Sequence, residues 1–144
     1  MTTPINILLI EDNLGDAKLT AKALSRAKIE NTLYVVDDGM KAMDFFYQRG
    51  EYKDAPRPDL VLLDLNLPKK DGREILQEIK ADPSLLKIPV LILSTSQSME
   101  DVDTSYRLHA NSYIKKPVDF PGFMEVIRSI DSYWMGVVRL PAMG

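Results

Sequence analysis

Five side chains in this sequence have types and positions that could do chemistry together. Asp64 ends the apolar run in "LVLLDLNLPKKDG", Glu11 and Asp12 follow "INILLI", Ser94 ends "VLILS", and Lys116 closes "SYIKK". Each is a polar group at the end of a short hydrophobic segment. Three carboxylates in one crevice would repel one another and push each toward protonation. A hard divalent cation removes that conflict, and Mg²⁺ commonly takes a few carboxylates together with waters and a phosphate. A hydroxyl and a fixed ammonium beside such an ion would bind phosphoryl oxygens, which suits phosphoryl transfer with the carboxylate as nucleophile. Taken singly, each residue has a plainer use. Glu11 and Asp12 could cap a helix, where the dipole favours acids. Ser94 could form a loop, and Lys116 could be a solvated charge. The combination is what points to a site.

That chemistry requires distant segments to end at one place. Short apolar runs recur at 5–10, 32–36, 60–64, 90–94 and 112–116, and three of them are nearly continuous Val, Ile and Leu. Such runs fit strands covered on both faces of a parallel sheet. Helical spacing lies between them: Leu14, Ala17, Ala21 and Leu24, then Ile75, Leu76 and Ile79, then Phe120, Phe123, Met124, Ile127, Ile130 and Trp134. Asn13, Asp38, Asp71, Ser98 and Asp119 are residues of capping type near the helix starts. Five strands alternating with five helices predict a doubly wound α/β sandwich. Right-handed crossovers restrict the strand order, and 2-1-3-4-5 is one common solution. In that order the crevice opens between strands one and three, outside their carboxyl ends. These are the ends that carry Glu11, Asp12 and Asp64.

Composition narrows the class. With 144 residues, 45% of them hydrophobic and 27% charged, the chain suits one domain with one core. The 18 basic against 21 acidic side chains give −3, and basic residues occur at most in pairs, so no nucleic-acid partner is expected. There is no cysteine, hence no disulfide framework or thiolate chemistry. The apolar run near the N-terminus is too short for a signal peptide, and nothing approaches the roughly 20 apolar residues of a membrane span. The expectation is a soluble cytoplasmic protein. No Gly-rich phosphate loop follows the first strand, where "EDNLGD" is acidic, so flavin or nucleotide binding finds no support.

The segments "LLIEDN", "LVLLDLNLPKKDG", "PVLILSTS" and "YIKKP" resemble the receiver domain of two-component response regulators, over nearly the whole chain. The resemblance implies a flavodoxin-like (βα)5 fold with Asp64 as phosphoacceptor. It implies that Glu11, Asp12, Asp64 and the backbone carbonyl of Asn66 hold Mg²⁺, and that Ser94 and Lys116 bind the phosphoryl group. The backbone N–H groups of Leu65 and Thr95 would be further phosphate donors, and the Lys116–Pro117 bond would be cis. "DVDTSYRLHANSYIKKP" and "SYWMGVVRLP" are similar to small regulators paired with cyanobacterial phytochromes. His109 stands where Gly is usual in receivers, which suits that subgroup and removes nothing from the phosphorylation site.

By this resemblance the chain is a switch. Ser94 would swing toward a new phosphate and Tyr113 would rotate into the vacated space. The change would be carried by the fourth helix, fifth strand and fifth helix, about 100–134. Asn66 and Ser96 are positioned to influence attack of water on the acyl phosphate. His109, the single histidine, reads as a turn or packing residue, so the phosphodonor is a histidine kinase in another polypeptide or a small acyl phosphate. The domain reading is a receiver at 1–131 with a C-terminal extension at 132–144. Tyr133, Trp134, Val138 and Leu140 in that extension either fold back on the domain or form a partner surface. The subgroup resemblance implies homodimerisation there. With no residues left for a separate output domain, output would be contact with a downstream protein, and the only catalysis would be on the chain's own phosphate. Two other readings fit the residues less well. A metal-dependent phosphatase with an aspartyl nucleophile would want a second acid where Asn66 stands. A phosphate-independent binding module has no need of this set of residues.

Overall fold

The computed structural model describes residues 4–94, 112–116 and 119–133. Five strands form one sheet in the order β2-β1-β3-β4-β5. They are β1 (Ile5–Ile10), β2 (Asn31–Val36), β3 (Leu60–Asp64), β4 (Val90–Ser94) and β5 (Ser112–Lys115), and every neighbouring pair runs parallel. Four described helices connect or follow them: α1 (Leu14–Leu24), α2 (Gly39–Phe46), α3 (Gly72–Ala81) and α4 (Phe120–Tyr133). The α4 helix is the fifth of the sequence-predicted helices. The one expected after Ser98 lies outside the described residues. No described helix is long and apolar enough to cross a membrane.

The continuous apolar runs are explained by two cores, one on each face. With a side-chain period of two along each strand, Leu8, Ile10, Val61, Leu63 and Ile92 face α2 and α3. Ile7, Leu9, Leu60, Leu62 and Leu93 face α1 and α4. All five residues of β3, the middle strand, are buried. Each fully buried Leu or Ile contributes roughly 1.5–3 kcal/mol of transfer free energy, so β3 is the best-anchored element and the firmest place from which to project a functional group.

Helix starts follow the capping residues. Asn13 accepts from the Asp16 N–H, Asp38 from the Lys41 N–H and Asp71 from the Arg73 N–H. Asp119 accepts from the Gly122 N–H at 2.8 Å. One expectation fails here. Leu14, placed in the core stripe of α1 by its spacing, is 69% exposed. It is the first residue of the helix and lines an open cleft with Val35 and Tyr52, whereas Ala17, Thr20, Ala23 and Leu24 are the buried positions.

The last helix is tied to the domain by a group that the hydrophobic pattern did not single out. Asp131, 8% exposed, accepts from the backbone N–H groups of Lys28 and Ile29, both at 3.1 Å. The helix runs on to Tyr133, so the boundary expected after 131 falls in its last turn.

Candidate functional site

The register of the sheet sets the site. Ile10 pairs with Leu63, Asp64 with Leu93 and Ser94 with Lys115. One step beyond the first pair puts Glu11 level with Asp64, and Lys116 follows β5 at the same edge. The Glu11 N–H donates to the Val36 carbonyl at 3.0 Å, prolonging the ladder far enough to hold this acid against the sheet. The Asn13 cap then turns the chain into α1 and leaves Asp12 exposed at the rim.

The turn after β3 is built from "LNLPKKDG". The Asn66 N–H donates to Asp64 Oδ1 at 3.0 Å, fixing that carboxylate from its own chain. Leu65 is fully buried. Lys69 has φ 67° and the Lys70 N–H donates to the Pro68 carbonyl at 2.7 Å, a tight left-handed turn. Two glycines allow backbones to meet here. A Cβ on Gly72 would lie 2.4 Å from the Asp64 carbonyl oxygen, and one on Gly39 would lie 2.1 Å from that of Lys70. The glycine and the acid of the motif are therefore parts of one contact.

Glu11, Asp12 and Asp64 offer carboxylate oxygens that all lie within 4.8 Å of one another. Such an all-oxygen set suits a hard divalent cation. Glu11 and Asp64 are buried and Asp12 is exposed, so the site has a shielded floor and an open mouth. Lys116, 6% exposed, directs its ammonium at these groups. It donates to Glu11 Oε1, to Asp64 Oδ2 at 3.2 Å and to Asp16 Oδ2 at 2.9 Å. Burial pushes the Glu11 carboxyl up to about 7; the Lys116 hydrogen bond opposes that rise, while Asp64 reinforces it. For Lys116, burial works against the charged form. The hydrogen bonds to Glu11 and Asp16 outweigh it and hold the ammonium above the ordinary lysine range.

Ser94 is fully buried at the end of β4, and the Lys116 N–H donates to its carbonyl at 2.7 Å. Tyr113 pairs with Ile92 in register and packs, half-buried, against the core on the α2–α3 face. Of the other expected positions, Thr95, Ser96, His109, Trp134, Val138, Leu140 and the Lys116–Pro117 bond lie outside the described residues, as does the side chain of Tyr133. Asp16 was not anticipated. Its signal was present in "EDNLGD": with Asn13 already capping α1, a further acid in the first turn was free to serve another partner.

Comparison with known proteins identifies the family. The sequence matches the response regulator receiver domain over residues 7–128. It is 47% identical over 139 residues to Response regulator Rcp1 of Synechocystis sp. (strain ATCC 27184 / PCC 6803 / Kazusa), covering 96% of this chain and 95% of that protein. The fold superposes on the phosphorylated cyanobacterial phytochrome response regulator RcpA with a TM-score of 0.84 and 46% identity, over 93% of this chain and 96% of that one. A structure of the Mn²⁺-bound form of response regulator Rcp1 matches with the same score, identity and coverage. The family match over most of the chain, together with the 2-1-3-4-5 parallel sheet, shows that the chain belongs to the response regulator receiver domain family.

Proposed function

We propose that Asp64 accepts a phosphoryl group from a phosphohistidine on a partner sensor kinase, and that the phosphorylated chain signals by changing its protein contacts. The supporting observation is the convergence of Glu11, Asp12, Asp64 and Lys116 at one sheet edge. An Asp64 oxygen attacks phosphorus; the new O–P bond forms as the P–N bond breaks, and the electron pair leaves on the imidazole nitrogen. Glu11, Asp12, Asp64 and the Asn66 carbonyl would hold Mg²⁺, which when bound neutralises charge between carboxylates and phosphoryl oxygens. Lys116 turns from Asp64 to a phosphoryl oxygen, and Ser94 and the N–H groups of Leu65 and Thr95 donate to the others. Asn66 and Ser96 govern access of water to the acyl phosphate. The chain thereby acts only on its own phosphate.

Motion of Ser94 toward the phosphate and rotation of Tyr113 would transmit the change to the surface. The relatives' names support a phytochrome as the cognate kinase, and in this reading the exchange takes place in the cytoplasm. Segment 132–144, with Tyr133, Trp134, Val138 and Leu140, serves as a homodimer interface in this reading.

The test is incubation with Mg²⁺ and acetyl phosphate, followed by intact mass. The wild type should gain one phosphoryl group and Asp64→Asn none. Uptake by Asp64→Asn would reject the site.

A further inference from the structure

The Lys116 ammonium occupies the carboxylates that a divalent cation needs. It bonds Glu11 and Asp64, both members of the three-acid cluster. Its third partner, Asp16 at 2.9 Å, is not in that cluster. For a cation to enter, Lys116 must give up Glu11 and Asp64 without losing its counter-charge, since an unpaired ammonium in a 6% exposed position is costly.

We propose that Asp16 is a positioning residue that receives Lys116 when a divalent cation takes Glu11 and Asp64. The inference rests on the metal site of the proposed function. The arrangement fits the role in three respects. Asp16 belongs to the first turn of α1, so its backbone is fixed by the Asn13 cap at 2.9 Å and by the Thr20 hydroxyl donating to its carbonyl at 2.9 Å. Its side chain is 40% exposed, whereas those of Glu11 and Asp64 are shielded, so it stands outside the pair that the cation takes. The ammonium has three donors, and the three acids each take one. Retaining Asp16 leaves two donors free to follow the charge, first away from the cation and then to a phosphoryl oxygen.

Without Asp16 the ammonium keeps, among the described residues, only Glu11 and Asp64 as acidic partners, so it competes harder with an incoming cation. The experiment measures Mn²⁺ binding to the unphosphorylated chain by electron paramagnetic resonance. Asp16→Ala should weaken binding about fivefold, the scale of one half-exposed ion pair. Removal of any nearby charge weakens cation binding somewhat. Asp37→Ala is therefore the control, because Asp37 lines the same cleft as Glu11 and Asp12 and pairs instead with Lys41. Its loss should cost less than about half as much. In a Lys116→Met background the Asp16→Ala effect should fall to the Asp37→Ala level, a coupling that a merely structural role for Asp16 would not give. Should Lys116→Met fail to fold, the comparison of Asp16→Ala with Asp37→Ala decides alone. Equal losses in those two single variants overturn the proposal while leaving the metal site standing. Absence of Mn²⁺ binding by the wild type overturns both.

Discussion

Replacing Gly72 with Ala tests the link between the turn and the phosphoacceptor. The added Cβ would lie 2.4 Å from the Asp64 carbonyl oxygen and 2.7 Å from Leu65 Cα. Both atoms belong to backbone, and Leu65 is fully buried, so neither can swing aside. Ordinary contact begins near 3.4 Å, so α3 must part from the end of β3 by about 1 Å, with loss of the contacts made by Ile75, Leu76 and Ile79. Overpacking of this kind costs about 1–3 kcal/mol, and two rigid neighbours argue for the upper end. Removing the unfolded-state freedom of glycine returns about 0.4–1 kcal/mol. The net expectation is a loss of about 2 kcal/mol, read as a lower midpoint in urea at unchanged slope. The partner experiment is Gly15→Ala, where the nearest atom is a side-chain oxygen, Asn13 Oδ1, at 3.3 Å. That variant should stay within about 0.5 kcal/mol of the wild type. Phosphoryl uptake should also slow in Gly72→Ala, since displacement of reacting groups by about 1 Å can cost about 100-fold. A Gly72→Ala protein as stable and as quickly phosphorylated as Gly15→Ala would refute the claim that the motif glycine sets the position of Asp64.

Three further outcomes follow from particular contacts. Asp131→Ala should lose about 2–3 kcal/mol in urea unfolding, because the Lys28 and Ile29 N–H groups lose a charged acceptor; a change below about 0.5 kcal/mol would mean that the tie carries no load. Lys116→Met should be less stable by about 3 kcal/mol without metal, because it leaves Glu11 and Asp64 buried and mutually repelling. Saturating Mg²⁺ should restore most of the melting temperature, and no recovery would reject Lys116 as the counter-ion of that pair. Truncation after Asp131 should convert the proposed homodimer to a monomer in light scattering, and an unchanged mass would reject the tail as interface.

Much of this architecture was legible because the strands are buried on both faces. "INILLI", "LVLLD" and "VLILS" coincide with β1, β3 and β4, since an unbroken apolar run can hide only between two helical layers. The strand order made the distant acids neighbours on paper, and the sheet brings Glu11, Asp12 and Asp64 together. What escaped were contacts that no local pattern encodes. Leu14 obeys helical spacing, yet at the first position of α1 it lies beyond the core. Asp131 falls four residues after Ile127, on the buried face, but a carboxylate there reads as surface until its two backbone donors are known. Gly39 looks like a turn residue beside its cap Asp38. Its need for glycine comes from Lys70, in another loop.

The register at the functional edge has an evolutionary corollary. Glu11, Asp64 and Lys116 lie at or just past strand ends whose pairing fixes how far each projects. Loops can lengthen at small entropic cost, but inserting or deleting one residue within β1 or β3 would swap the faces of the side chains beyond it. Glu11 or Asp64 would then exchange places with a neighbouring leucine or isoleucine. Descent should therefore tolerate broad substitution on the outer helix faces while keeping the length of these strands unchanged.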